Sequence, residues 1–347
     1  MSHKLKDYNY DLPEKYIAQK PIYPRDHSKL MIIDENKDEF IHDRFYNILN
    51  YLDKGDVLVV NNSKVIPARL HGVKVPTGGK VEALLLKKHK DDNVWECLVK
   101  PARRLKKGQD ISFGNGKLKS KIIKELPEGR RLLEFEKTED LDNIIDKIGE
   151  MPLPPYIKQE LEDKNRYQTV YAKWRGSAAA PTAGLHFTDD LISKLEDKGV
   201  IIAEVMLHVG LGTFRPVDEK DITKHNMHSE YYEIDNKTAA LLNNAKVNGK
   251  KIVAVGTTSI RVLESASDSN GLLKGNKGKT DIFIYPGYRW KFVDSLITNF
   301  HLPKSSLLML VSAFVGRDKI LHAYEEAKDH NYRFFSFGDA MFLTRRS

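Results

Sequence analysis

Four segments of the sequence combine glycine, small hydroxyl residues and histidine near expected strand ends; they are Gly176–Thr188, His208–Pro216, Ile252–Glu264 and Asp281–Lys304. Glycine and alanine let a backbone approach a ligand closely. The first turn of a helix favours an anionic group, and loops that join strands to helices often bind ligands. These residue types therefore predict a small-molecule site with acid–base groups beside it.

Histidine is the residue best suited to proton transfer near neutral pH. His186 comes just before an expected helix cap at Thr188, and His208 follows an apolar strand. His228 and Glu230 add an imidazole and a carboxylate further on. The alternative for each segment is an ordinary tight loop with structural histidines. A zinc site would need a third ligand that no spacing supplies, so no metal is predicted.

The helix expected after Ile252–Val255 begins with three hydroxyl residues, Thr257, Thr258 and Ser259. They can cap the helix, or they can bind a carboxylate or phosphate at its N-terminus. Gly210 and Gly212 form G-x-G without the third glycine of a dinucleotide fingerprint, so a Rossmann dinucleotide site is not supported. The strand-like run from Asp281 to Gly287 is expected to end in Tyr-Pro-Gly, and a helix is expected after Pro303.

Two kinds of element must position these groups. Short strands spaced by turn residues fill 61–149 and predict an inserted antiparallel β-barrel-like domain. Helices alternate with unbroken apolar strands after residue 150, which predicts an α/β fold with a mostly buried sheet. We therefore expect a larger α/β catalytic domain, residues 1–60 and 150–347, interrupted by the smaller β-rich domain.

The chain has 347 residues, with 56 Lys plus Arg against 48 Asp plus Glu, a net charge of +8. That excess permits a polyanionic partner without requiring one. Arg103, Arg104, Lys106 and Lys107 cluster in the β-rich segment, where they could neutralise phosphates. Cys97 is the single cysteine, which excludes an intrachain disulfide and fits a reducing compartment. No run is apolar enough for a membrane span or signal peptide, so a cytoplasmic location is expected.

Taken together, the segments resemble the S-adenosylmethionine:tRNA ribosyltransferase-isomerases of queuosine biosynthesis. The resemblance extends over nearly the whole chain, because the matching blocks occur in order. Its densest blocks are Ala179–Thr188, His208–Pro216, Met227–Tyr232, Gly256–Ser259, Ile297–Lys304 and Phe334–Ala340.

The resemblance implies transfer of the ribosyl group of S-adenosylmethionine to 7-aminomethyl-7-deazaguanine at the wobble position of a tRNA. The product is epoxyqueuosine, and adenine and methionine leave. S-adenosylmethionine is then a co-substrate, and the basic cluster is the expected tRNA-binding surface. No metal is expected in the reaction, because the sulfonium already activates the ribose.

The resemblance also implies roles for individual residues. His186 or His208 is expected to transfer the proton, with His228 and Glu230 as second candidates. Contacts to S-adenosylmethionine are expected from Thr182, Gly184, Phe187, Gly210, Gly212, Phe214, Thr257, Thr258 and Ser259. Phe187 or Phe214 would stack on adenine, and the three hydroxyl residues would bind the methionine carboxylate.

Two other function classes compete with this interpretation. An S-adenosylmethionine-dependent RNA methyltransferase would need an acidic, glycine-rich loop after a strand, and none is present in the sequence. A non-catalytic tRNA-binding protein would bind in a salt-dependent way without consuming S-adenosylmethionine. The sequence does not distinguish a monomer from a homodimer, and it does not identify the base.

Overall fold

The computed structural model describes residues 3–89, 91, 93–159, 161–210 and 217–345. Contacts divide the chain into two compact units. The larger unit contains Met1–Ser63, Pro155–Lys173 and Pro181–Ser347, and the smaller unit contains Lys64–Pro154 and Trp174–Ala180. The chain thus enters the smaller unit twice, the second time for seven residues just before the segment that carries His186.

Strands and α-helices alternate along much of the larger unit, whereas the core of the smaller unit consists of strands. The strands are β1 (Lys29–Asp34), β2 (Ile41–Arg44), β3 (Val57–Asn61), β4 (Ser63–Val65), β5 (Arg69–Val75), β6 (Lys80–Lys88), β7 (Val94–Lys100), β8 (Asp110–Phe113), β9 (Leu118–Glu125), β10 (Arg130–Phe135), β11 (Trp174–Ser177), β12 (Ile201–Leu207), β13 (Glu230–Ile234), β14 (Ile252–Val255), β15 (Asn276–Thr280), β16 (Ser295–Asn299) and β17 (Ala340–Thr344). The α-helices are α1 (Leu141–Ile148), α2 (Asp189–Asp197), α3 (Asn236–Val247), α4 (Gly256–Ala266), α5 (Ser306–Val315) and α6 (Arg317–Asp329).

A nine-stranded mixed sheet forms the larger unit, in the order β15-β13-β12-β3-β14-β16-β17-β1-β2. Its central strands β12, β3, β14 and β16 are parallel. Every residue of β3, β14 and β16 is buried. Continuous apolar strands of this kind need both faces covered, so the sequence pattern and the burial agree.

The direction of the strands gathers the candidate segments at one edge of this sheet. Parallel strands β12, β3, β14 and β16 end there, which brings the residues after them to the same side. Strand β17 is antiparallel to β16, and β1 is parallel to β17, so both begin at this edge. Strand β13 is antiparallel to β12 and also begins there. Ligands of open α/β sheets commonly bind at such an edge.

A closed six-stranded barrel, in the order β10-β7-β6-β5-β8-β9, forms the smaller unit. Neighbouring strands are antiparallel. The turn between β8 and β9 uses Asn115 at φ 58° and Gly116 at φ 92°, both in the left-handed region that these residue types tolerate best. Cys97 is buried within β7, and burial raises the pKa of its thiol.

The predicted fold class, a mixed α/β chain with an inserted antiparallel barrel, is confirmed. One local prediction is wrong, and one of the two alternatives for the hydroxyl residues of α4 is excluded. Residues 281–287 contain no strand; the strand lies earlier, at Asn276–Thr280, where pairing with β13 sets its position. Helix α4 has Val255 at its N-cap and receives no side-chain cap from its hydroxyl residues. Among the described residues, no helix combines the length and apolar character needed to cross a membrane.

Candidate active site

His186 lies at the end of a 3₁₀ turn, Thr182–His186, in a closed hydrogen-bond network. Its Nδ1 lies 2.7 Å from Ser28 Oγ, and its Nε2 lies 3.1 Å from Asn299 Nδ2. Thr182 Oγ1 donates to Asn299 Oδ1 at 3.0 Å, which directs the amide nitrogen of Asn299 at the ring. Nε2 therefore accepts, and Nδ1 carries the proton and donates to Ser28.

The surroundings of His186 keep its ring neutral. Only 4% of the residue is exposed, and the ring stacks on Phe45 with centroids 4.9 Å apart. Burial, reinforced by the charges of Arg333 and Arg166, lowers the pKa of His186 to about 3. A ring with both nitrogens bonded and so low a pKa is a weak base. This environment suits a positioning residue better than a proton acceptor.

His208 differs from His186 in the hydrogen bonds of its ring. It follows β12, and its backbone N–H donates to the carbonyl of Tyr231 at 3.0 Å. Its ring lies nearly parallel to that of Tyr231, with centroids 6.3 Å apart. Nδ1 is buried and has no hydrogen-bond partner within the described part of the chain. Burial lowers the pKa of His208 below its usual value, so the ring is neutral near pH 7 and has an unoccupied nitrogen.

The buried carboxylate of Glu230 connects the residues just after His208 to helix α4. Glu230 Oε1 accepts from the backbone N–H of Gly210 at 2.7 Å and lies 3.3 Å from His228 Nε2. Glu230 Oε2 accepts from Arg261 Nη1, and Arg261 Nη2 donates to the carbonyl of Thr280 at 3.2 Å. Burial lowers the pKa of Arg261 to about 10, which still leaves it charged at neutral pH. These bonds make Glu230 an anchor for the Gly210 backbone.

The start of α4 offers donors that the helix itself does not use. Gly256 adopts φ 84°, and no side chain caps the first turn. Thr258 Oγ1 is buried without a hydrogen-bond partner among the residues described. Ser259 differs, since its hydroxyl donates to the carbonyl of Val255 at 2.8 Å inside the helix. The available anion-binding groups are therefore the backbone N–H groups and the hydroxyls of Thr257 and Thr258.

Two other residues expected to contact a ligand are packed against protein instead. A Cβ on Gly184 would lie 2.0 Å from Tyr171 Oη and 2.7 Å from Thr169 Cγ2, so the glycine permits close packing. The ring of Phe187 is fully buried in the core and meets Phe45 edge-on at 5.0 Å, which favours a core role over adenine stacking. Gly212 and Phe214 lie outside the described residues.

The basic cluster of the smaller unit lies after β7 and is exposed at Arg103, Arg104, Lys106 and Lys107. Lys106 Nζ pairs with Glu125 at 3.3 Å. A buried arginine, Arg131, fixes the backbone beneath them, because it donates to the carbonyls of Leu105 at 2.8 Å and Ala102 at 2.7 Å. The cluster therefore has a defined backbone and exposed arginine side chains, which suits contact with phosphates.

Three residues that complete the site were not assigned roles from the sequence, although Arg261 and Asn299 lie in two of the four segments described there. Ser28 precedes β1, Asn299 ends β16 and Arg261 lies in α4, far apart in sequence from the histidines and carboxylate they contact. Only an unusual polar residue in an apolar stretch could have indicated them, as with Asn299 after Leu296-Ile297 and Arg261 after Ile260.

The fold and the site define a class: an α/β protein whose polar groups lie at the carboxyl ends of the parallel strands of a mixed sheet, with a barrel inserted in the chain. The chain belongs to the queuosine biosynthesis protein family, whose model matches residues 5–343. It is also similar to the crystal structure of an S-adenosylmethionine tRNA ribosyltransferase from Thermotoga maritima. That match has 38% sequence identity and a TM-score of 0.56, and it covers 97% of this chain and 99% of the other.

Proposed function

We propose that this protein is an S-adenosylmethionine:tRNA ribosyltransferase-isomerase. It transfers the ribosyl group of S-adenosylmethionine to 7-aminomethyl-7-deazaguanine at the wobble position of tRNA, isomerises it to the epoxide of epoxyqueuosine, and releases adenine and methionine. The observation that carries this proposal is the family match across residues 5–343, supported by the 38% identical ribosyltransferase structure. A cytoplasmic location follows from the tRNA substrate.

The reaction makes three demands on the protein. A base must remove a proton from the carbon beside the sulfonium, departing adenine must be protonated, and the methionine carboxylate must be held. The substrate amine then attacks, and a ribose hydroxyl closes the epoxide as methionine is displaced. The activating positive charge is on the sulfur of the co-substrate. We therefore expect turnover to persist in the presence of a metal chelator.

His208 is our choice for the base. Its Nδ1 is free of hydrogen bonds among the described residues, whereas both nitrogens of His186 are bonded. His186, with Ser28 and Asn299, instead fixes the 3₁₀ turn that faces the start of α4. Glu230 holds Gly210, two residues after His208, and so fixes the backbone beside the base.

The methionine carboxylate is assigned to the start of α4. Its uncapped N–H groups carry partial positive charge, and Thr258 Oγ1 adds a donor that lacks another partner within the described residues. The Ser259 hydroxyl is excluded from this role because it donates to the carbonyl of Val255. The basic cluster of the smaller unit is assigned to tRNA phosphates.

Product analysis tests the function. The protein is incubated with S-adenosylmethionine and tRNA that carries the aminomethyl base, and small molecules are separated. Adenine and methionine in equal amounts are expected. S-adenosylhomocysteine would instead identify a methyltransferase, and tRNA binding without consumption of S-adenosylmethionine would identify a binding protein.

Histidine variants test the choice of base. His208→Gln is expected to lower kcat at least ~100-fold, the usual contribution of general base catalysis. It should also abolish the decline of kcat/KM at low pH, which the wild type shows as His208 becomes protonated below its usual pKa. His186→Gln should lower turnover while retaining that pH limb, and His322→Gln, on the exposed face of α6, serves as control. A normal kcat in His208→Gln would refute this choice.

A further inference from the structure

Two histidines and a glutamate meet where helix α6 ends beside the outermost strand of the large sheet. His42 lies in edge strand β2, while Glu326 and His330 are one turn apart at the C-terminal end of α6. Their ligand-type atoms all lie within 4.8 Å of one another. The His42 and His330 rings stack with centroids 4.1 Å apart, and His42 Nε2 lies 2.9 Å from Glu326 Oε1.

The hydrogen bonds around both rings are compatible with metal binding through Nε2. His330 Nδ1 lies 3.0 Å from the carbonyl oxygen of Glu326, which can only accept, so Nδ1 carries the proton. His42 Nδ1 lies 2.9 Å from the hydroxyl of Tyr332, and that hydroxyl donates to the carbonyl of Leu30 at 3.3 Å. When the phenol donates to Leu30, its oxygen accepts from His42 Nδ1; in the other tautomer the phenol donates to Nδ1, and His42 Nε2–H donates to Glu326. The tautomer with the proton on Nδ1 is the one that presents a lone pair on Nε2.

The three side chains are arranged so that one cation can bind all of them. With Nδ1 of each ring as the donor, the Nε2 lone pairs of His42 and His330 and the carboxylate of Glu326 lie within 4.8 Å of one another. A divalent ion bound there would replace the direct contact of 2.9 Å between His42 Nε2 and Glu326 Oε1.

We propose that His42, Glu326 and His330 form a binding site for a divalent transition-metal ion of the zinc class. Two imidazoles and one carboxylate are a donor set that zinc accepts, with bonds of about 2.0–2.2 Å. Those bond lengths place neighbouring donors about 3.3 Å apart in a tetrahedron. Here one pair of donors lies 2.9 Å apart, and all three lie within 4.8 Å of one another. The Nδ1–H bonds to a carbonyl and a phenol are the outer contacts that orient metal-bound histidines elsewhere.

The charged neighbours in the same cavity are Lys29, Arg44 and Asp43. Arg44 Nη1 donates to the carbonyl of His27 at 3.1 Å. Lys29 Nζ is occupied by the carbonyls of His330 at 2.5 Å and Asn331 at 3.1 Å. The carboxylate of Asp43 accepts from Asn47 and Tyr51. The C-terminus of α6 carries partial negative charge, which favours a cation. A cavity of about 350 Å³, lined in part by His42, His330 and Tyr332, leaves room for a water as fourth ligand.

The bound ion would tie the end of α6 to β2. An edge strand exposes unpaired backbone groups, and a covering helix held in place protects them from pairing with another chain. We therefore assign the metal a stabilising role, separate from the reaction described above.

Metal titration of the full chain tests the proposal. The protein is treated with a chelator, dialysed, and titrated with Zn²⁺ by calorimetry and with Co²⁺ by absorption. One ion per chain is expected, with a Kd below about 10 µM, equivalent to at least about 7 kcal/mol, and Co²⁺ bands typical of four-coordination. Zn²⁺ should raise Tm. His330→Gln and Glu326→Gln should each weaken binding at least ~10-fold, while His322→Gln on the same helix should bind normally.

Two outcomes would overturn the proposal. One is a wild type that binds Zn²⁺ no more tightly than about 1 mM. The other is unchanged affinity and an unchanged Co²⁺ spectrum in the double variant His42→Gln/His330→Gln. Circular dichroism establishes that each variant is folded. If one is not, X-ray absorption of the wild-type Co²⁺ complex decides, since the proposal requires two imidazole nitrogens bound to cobalt.

Discussion

Mild acid is expected to destabilise this protein through two buried histidines. Burial, with help from Arg333 and Arg166, lowers the pKa of His186 to about 3, and burial alone lowers the pKa of His301 to about 3. Both rings remain neutral in the folded state over most of the acid range. In the unfolded chain they titrate near 6.5. The unfolded state therefore binds more protons between pH 6.5 and 3, and stability falls as the pH is lowered through that interval.

The magnitude follows from the same values. At pH 5 an unfolded histidine with a pKa of 6.5 is about 30 times more protonated than deprotonated, while a folded one with a pKa of 3 is almost fully neutral. Relative to pH 7.5, each residue thus costs about 2 kcal/mol of unfolding free energy, and the two together about 4 kcal/mol. At pH 7.5 neither contributes, because both states are neutral.

Urea unfolding at pH 7.5, 6 and 5 measures this effect. His186→Gln and His301→Gln remove one titrating group each, so each variant should lose about 2 kcal/mol of the pH dependence, whatever its stability at pH 7.5. His322→Gln, an exposed histidine, should keep the wild-type dependence. If all four proteins lose stability equally between pH 7.5 and 5, then burial does not hold the two rings neutral in the folded state.

Three further predictions concern packing, ligand binding and tRNA binding. Gly184→Ala places a methyl group against Tyr171 and should lower the unfolding free energy by about 1–3 kcal/mol in urea unfolding; wild-type stability would show that the turn can move away. Thr258→Val removes the unpartnered donor and should raise KM for S-adenosylmethionine about 10-fold with a smaller change in kcat, whereas an unchanged KM would place the carboxylate elsewhere. Reversing both Arg103 and Arg104 to Glu should weaken tRNA binding and flatten its dependence on salt in filter-binding assays; an unchanged slope would mean that these arginines contact no phosphate.

The periodicity of the sequence was sufficient to predict most elements near the site. The helix after Thr188 is capped as expected, since Thr188 Oγ1 accepts from the backbone N–H of Leu191. The buried strand at Ile252–Val255 and the helix that follows it also lie where the pattern places them. These features depend on residues close together in the chain, so local side-chain chemistry is enough to specify them.

The strand expected at 281–285 shows where local pattern is insufficient. Asp281-Ile-Phe-Ile-Tyr has the apolar content of a strand, but pairing with β13 falls on the more polar Asn276–Thr280. Phe283 instead packs against the rings of His225 and Tyr285. Register is decided by the partner strand and its neighbours, and the sequence of one segment does not contain that information.

By itself, the sequence determined the fold class and the set of chemically active residue types, and its resemblance pointed to the reaction. Only the tertiary structure showed the different surroundings of those residues. Both nitrogens of His186 are hydrogen-bonded, one to Ser28 and the other to Asn299. Nδ1 of His208 has no partner in the described part of the chain, and Phe187 lies in the core. The physical reason is that the pKa, partners and exposure of a side chain depend on the groups around it, and here those groups are more than a hundred residues away in the sequence. They meet because neighbouring strands of one sheet end or begin at the same edge.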